Sequence, residues 1–139
     1  MEKANTILNN LREKGFRRSL AREEILSVLV SASKPVSVFE ILDILSRKKR
    51  VFNKTTLYRE MEVLKKEGYV KEVFFRNDTA LYELVGEHHH HLVCTSCGDV
   101  RDVHLEESLE CEERKLERRE HFIILDHSLE FFGKCKECQ

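Results

Sequence analysis

Tryptophan is absent from the 139 residues, proline occurs once and glycine five times. With breakers this scarce, each reads as punctuation between elements, notably Gly15, Pro35 and Gly68. Long apolar runs are also lacking. The best, residues 25–33, is too short and too polar to span a bilayer. The opening MEKANTILNN has no apolar segment behind a basic start, so it is not read as a secretory signal, and a soluble, cytoplasmic protein is expected. The first 86 residues hold no histidine, no cysteine and no glycine-rich phosphate loop, and offer little as an enzyme surface.

Charge is divided unevenly. Residues 1–80 carry 17 Lys/Arg against 11 Asp/Glu, and residues 81–139 carry 7 against 14. A basic half suits a polyanion, and an acidic half rich in His and Cys suits cations, although a mixed surface produces the same tally by chance.

The basic half has a legible order of elements. Ile7, Leu8 and Leu11 predict a helix over 6–14 that Gly15 ends. Ser19 caps a second helix with Ile25, Leu26, Val28 and Leu29 inward. Ser37 and Glu40 form a capping box before the Val38, Ile41, Leu42, Leu45 face of a third. Asn53 begins a fourth, NKTTLYREMEVLKKEG, which buries Leu57, Met61 and Leu64 and presents Lys54, Thr55, Thr56, Tyr58 and Arg59. Two β-rich runs, YVKEVFF and TALYELV, follow, joined by the turn-type Arg76-Asn77-Asp78. Three helices, a polar-faced fourth and a hairpin fit a winged helix-turn-helix with the fourth helix in the major groove of double-stranded DNA. The bland readings are a core Tyr58, an Arg59 paired with Glu62, and an RKKR at 47–50 that is a solvated helix end.

All the cysteines and histidines lie beyond residue 86. Cys94-x-x-Cys97 is matched by Cys135-x-x-Cys138, and two such turns can present four thiolates to one structural Zn²⁺. In a reducing compartment that arrangement is preferred to two disulfides. The 37 residues between the pairs exceed a zinc-ribbon spacing, so the ion is expected to pin the last residues to the start of a sheet. A redox Cys-x-x-C lacks its βαβ context here. A zinc deaminase lacks the proline before its second motif, although His104-Leu105-Glu106 imitates the first. Cys111 is left without a role.

Four consecutive histidines, His88 to His91, precede the first cysteine pair inside the chain, where a purification tag would not be placed. Leu92 and Val93 favour a strand, so His89 and His91 point to one side and His88 and His90 to the other. Each pair can chelate one metal, with further ligands drawn from Glu83, Asp102, Glu110 and His127. Imidazole plus carboxylate suits Zn²⁺, Fe²⁺ or Mn²⁺. His104 and His121 lack comparable partners. GDVRDVH predicts a short strand, Leu105, Leu109 and Leu116 a charged helix, and HFIILD and SLEFFGKC two further strands. Such a small open sheet calls for a second copy to cover it, and a homodimer would also present two DNA-binding helices.

GFRRSLAREEIL, TTLYR, YEL, HHHHLVCTSCGDV, DHSLEFFG and CKEC together resemble the ferric-uptake-regulator family of bacterial metal-dependent repressors, over nearly the whole chain. The resemblance implies an α+β chain: a winged-helix DNA-binding domain over 1–85, then a small α/β metal-binding dimerisation domain over 86–139. It implies structural zinc at Cys94, Cys97, Cys135 and Cys138, a regulatory site at Glu83, His89, His91 and Asp102, and a third site at His88, His90, Glu110 and His127. It also makes Tyr58 and Arg59 a DNA-contacting pair. One departure is that many members add a regulatory histidine just before the third helix, where this chain reads SKPVS. The unbroken HHHHL resembles the zinc-uptake branch, whereas Asp102 in place of the commoner Glu resembles the peroxide-sensing branch. Two readings from other classes are a zinc hydrolase built on His-x-His and a metal-storage module with no DNA role.

Overall fold

The computed structural model describes residues 1–75 and 78–139, in two compact units, Met1–Gly86 and Glu87–Gln139. In the first unit, α1 (Glu2–Glu13), α2 (Leu20–Ser31), α3 (Val38–Arg47) and α4 (Lys54–Lys66) precede an antiparallel hairpin of β1 (Val70–Phe74) and β2 (Ala80–Leu84). Its core is a single cluster in which Ile25, Leu26, Ile41, Leu45, Leu57, Met61 and Leu64 are wholly buried. Each contributes about 1.5–3 kcal/mol by leaving water.

The helix starts follow from side chains that accept otherwise orphaned amides. Ser19 accepts from the Arg22 N–H, Ser37 and Glu40 close a reciprocal capping box, and Asn53 accepts from the Thr56 N–H at 2.8 Å. Gly68, with φ of 81°, supplies the left-handed residue that turns the chain from α4 into β1. Val36 exchanges two backbone bonds with Tyr82, at 2.9 and 2.7 Å, so the segment after Pro35 adds a short third edge to the hairpin. The α1 helix begins four residues earlier than periodicity suggested. Ala4 continues the buried stripe of Ile7 and Leu11 but is too small to stand out as an apolar signal. Of the expected Arg76-Asn77-Asp78 turn, the first two residues lie outside the described ones.

In the second unit β3 (His90–Cys94) is the central strand, antiparallel to β4 (Val100–Val103) and parallel to β5 (Glu130–Gly133), with α5 (Glu110–Glu120) between β4 and β5 in the chain. A short 3₁₀ turn over Lys136–Cys138 follows. The α5 helix starts later than the Leu105, Leu109, Leu116 spacing predicts. The Ser108 hydroxyl accepts the Glu110 N–H at 3.2 Å, which fixes the first turn there and leaves Leu105 outside.

A second expectation fails outright: HFIILD forms no strand. His121, at φ of 52°, ends α5 in the left-handed region, and the Phe122 N–H bonds back to Glu117. Phe122, Ile123 and Leu125 remain 69%, 79% and 92% exposed. A β-prone run needs a neighbouring strand for its amides, and among the described residues none lies alongside. No helix among the described residues is long and apolar enough to cross a membrane.

Candidate metal centres and nucleic-acid interface

The turn between β3 and β4 carries the first cysteine pair. Cys94 ends β3, its N–H bonds to the Asp99 carbonyl at 2.8 Å, and Gly98 (φ 76°) returns an N–H to the Cys94 carbonyl at 2.9 Å. Thr95 bonds through its N–H to the Gly133 carbonyl at 2.8 Å, which fastens this knuckle to the end of β5 and delivers the second pair. The four sulfurs of Cys94, Cys97, Cys135 and Cys138 lie within 4.8 Å of one another.

The Cys97 and Cys135 sulfurs are 3.8 Å apart, too far for a disulfide. Four thiolates held tetrahedrally at the Zn–S distance would be separated by about 3.8 Å. Electrostatics point the same way. Backbone N–H groups of Cys135 and Cys97 hold the Cys94 thiol down at about 6, whereas the neighbouring Cys135 and Cys97 sulfurs push Cys138 up to about 12. Four thiols so close cannot all ionise unaided, and a coordinated dication removes the conflict. The cluster fits a structural zinc ion.

The strand alternation distributes the histidines. On one side His89 and His91 have ring centroids 4.9 Å apart. The antiparallel register sets Asp102 opposite His91, with its carboxylate oxygen 3.6 Å from the His91 Nε2 and 3.8 Å from the His89 Nε2. These three side chains each offer a ligand atom within 4.8 Å of the others. His91 is buried and Asp102 partly exposed, an arrangement open to one divalent ion. Glu83 belongs to the first unit. It is buried on β2 and paired across the hairpin with Lys71, Nζ to Oε1 at 3.0 Å.

On the other side His88, His90 and His127 form a group with ring centroids 4.5 to 5.4 Å apart. His90 is 4% exposed, and burial, reinforced by the neighbouring imidazoles, lowers its pKa from the ordinary 6.5. The His127 Nε2 is buried with no hydrogen-bond partner among the described residues. An orphaned imidazole nitrogen facing two others fits a metal ion.

Glu110, the carboxylate expected in this group, is not part of it. It sits in the exposed first turn of α5, 3.9 Å from Arg114. Glu113, nearly one turn further on, contacts His127 Nδ1 instead. Helical spacing marks 110 and 113 as neighbours on one face, so the pair was findable, but not the choice between them. His104 is exposed with its ring 6.3 Å from that of His89, and Cys111 is exposed on α5.

In the first unit, α4 buries Leu57, Met61 and Leu64 and turns the opposite face outward. Lys54, Thr55, Tyr58 and Arg59 are exposed and Thr56 is half-buried. Glu62, the intrahelical partner considered for Arg59, pairs with Lys65 at 2.9 Å. Among the described residues Arg59 makes no ion pair or hydrogen bond, and its guanidinium is available to an external anion. Lys54 lies over the Phe39 ring at 5.3 Å. The RKKR stretch is partly committed: Arg47 pairs with Asp43 at 2.7 Å and Arg50 with Glu24 at 3.3 Å.

Sequence reasoning missed what holds α4 in place. Arg22, buried on α2, pairs with Glu60 of α4 at 2.8 Å, and the Ser19 hydroxyl donates to the other Glu60 oxygen at 2.7 Å. The Arg22 guanidinium also donates to the Arg17 carbonyl.

Residues 13–132 match the sequence model described as "Ferric uptake regulator family". A ferric uptake regulation protein of Neisseria meningitidis serogroup A is 31% identical over 141 aligned positions, covering 100% of this chain and 96% of that protein. A peroxide-responsive repressor of Staphylococcus epidermidis is 29% identical, covering 94% of this chain and 86% of that one. Among solved structures, the Helicobacter pylori ferric uptake regulator, described as having three functional metal-binding sites, superposes with a TM-score of 0.82 at 27% identity, over 97% of this chain and 93% of that one.

Proposed function

Because the chain belongs to the ferric uptake regulator family of metal-responsive transcriptional regulators, we propose that it is a dimeric, sequence-specific DNA-binding repressor whose operator affinity is raised by zinc or iron. Residues 1–85 are its DNA-binding domain and 86–139 its metal-binding dimerisation domain. The observation that carries this reading is the paired set of imidazole groups on the two sides of β3, beside a helix whose outward face holds Tyr58 and Arg59.

The residues divide the work. Cys94, Cys97, Cys135 and Cys138 hold the structural zinc. His89, His91 and Asp102, with Glu83 from the DNA-binding domain, make the regulatory site, and Lys71 neutralises Glu83 until that site fills. A bound divalent ion supplies a positive centre that several carboxylate and imidazole donors can share. The donors themselves set the response. Occupancy is favoured in the arrangement that brings Glu83 to the histidines, and the same arrangement spaces the two recognition helices of the dimer for DNA. On each helix Arg59 and Lys54 meet phosphates, while Tyr58, Thr55 and Thr56 face base edges. Phe122, Ile123 and Leu125 lie against the second copy, the neighbour that their exposed β-prone run lacks.

Peroxide sensing is the second reading, favoured by Asp102 as the carboxylate and by the staphylococcal relative. It predicts that peroxide treatment of the iron-loaded protein adds oxygen to His89 or His91, detectable by mass spectrometry. Zinc-loaded protein would be unchanged.

The decisive experiment uses protein that keeps its thiolate-bound zinc while the other sites are emptied. Binding to duplexes selected from a random-sequence pool is measured with and without Zn²⁺, Fe²⁺ or Mn²⁺. A metal that operates the switch should raise affinity on the order of tenfold or more, a coupling of about 1.4 kcal/mol. Arg59→Ala should lower affinity on the order of tenfold while metal content stays the same. Equal affinity with and without metal would sink the switch. No salt-dependent DNA binding at all would favour the storage reading.

A further inference from the structure

We propose that the third group of donors is a three-imidazole site, formed by His88, His90 and His127, with Glu113 outside the coordination sphere as the residue that positions His127. This rests on reading that group as a metal site, and it changes both the donor set and the ion that the set selects.

The geometry begins at His127. Its Nδ1 contacts the Glu113 carboxylate, and an ionised carboxylate can only accept, so Nδ1 carries the proton. The tautomer is thereby fixed with the Nε2 lone pair free. That nitrogen is buried and has no hydrogen-bond partner among the described residues, while His88 and His90 offer nitrogens within 4.8 Å of a ligand atom on His127. Imidazoles sharing one ion at about 2.1 Å per nitrogen have ring centroids roughly 5 Å apart. The three separations here are 4.7, 4.5 and 5.4 Å. A carboxylate that holds the far nitrogen of a ligating histidine is the recurrent outer support of zinc–imidazole sites.

Glu110 is turned away toward Arg114 and contributes nothing to this group. The site therefore has three neutral nitrogen donors and no anionic one. Such a set favours Zn²⁺ or Co²⁺ over Mn²⁺ and Mg²⁺, which prefer oxygen donors. Three protein ligands also leave a fourth position for water or a small anion. The His89, His91 and Asp102 group, with its carboxylate, is the harder of the two, so the two sides of β3 differ in the ion they prefer.

The test uses the full chain with zinc kept in its four cysteines and with His89→Ala and Asp102→Ala emptying the other group. Co²⁺ is titrated and its visible absorption followed, with folding monitored by circular dichroism. Co²⁺ should bind with a tetrahedral spectrum that shifts on adding azide, because a position is open. Glu113→Gln should weaken binding on the order of 10- to 100-fold, Glu113→Asp should recover part of it, and Glu110→Gln should change nothing. A loss with Glu110→Gln but not with Glu113→Gln overturns the assignment, and so does a spectrum indifferent to azide. A folded protein that takes up no Co²⁺ at the three histidines ends the metal reading of this group. The operator-binding switch is measured separately and would stand or fall on its own result.

Discussion

His90 shows how one residue's surroundings become a solution property. It is 4% exposed, and its pKa lies below the ordinary 6.5 because burial disfavours the charged ring and the adjacent imidazoles repel a second charge. A folded-state pKa below the unfolded one means the unfolded chain takes up the proton first as pH falls. The stability is therefore fully present above 6.5 and is lost as pH drops through 6.5 toward the folded value. Thermal melting of protein with only its thiolate-bound zinc should show a midpoint that falls across this window. His90→Gln should flatten the slope. A midpoint equally pH-dependent in that variant would assign the effect to other groups. Metal affinity at the same histidines should weaken in the same direction, since binding displaces protons.

At the scale of an element, α4 acts as a reading head only if it is held at a fixed angle to its support. Apolar contacts from Leu57, Met61 and Leu64 give it adhesion, while the Arg22–Glu60 pair with Ser19 gives it orientation. The two side chains are 8% and 15% exposed, so removing one strands the other's charge in a poorly solvated place. Glu60→Ala should destabilise the first unit by about 3 kcal/mol in urea titration and weaken DNA binding more than Arg59→Ala does. An unchanged urea midpoint would contradict this. Such a tie could not be read from the chain, because 38 positions separate Arg22 from Glu60 and no local pattern links them. The caps at Ser19, Ser37 and Asn53 were legible because capping is decided within four residues. The alternation of His88 to His91 was legible because period two belongs to any strand. Glu113 was not, since its selection over Glu110 depends on where α5 starts, and the Ser108 hydroxyl sets that start.

At the scale of the whole molecule, residues 121–126 have a β-strand composition without a β-strand partner. Phe122, Ile123 and Leu125 keep most of their surface in water, an unfavourable state for three large apolar side chains in a row of six. Fully covering each is worth about 1.5–3 kcal/mol, enough for one short segment to commit two chains to each other. This misreading of the sequence is instructive: composition predicted the strand, and what the single chain cannot supply is its neighbour. Two copies related by a two-fold axis would provide it, and would set two α4 helices to read a palindrome. Leu125→Glu should therefore yield a monomer in sedimentation while the four-cysteine zinc is retained, because Cys94, Cys97, Cys135 and Cys138 all come from one chain. Operator affinity should fall on the order of a hundredfold or more, leaving only weak, salt-sensitive binding by a single basic domain. A Leu125→Glu protein that still sediments as a dimer would place the interface elsewhere on the second unit.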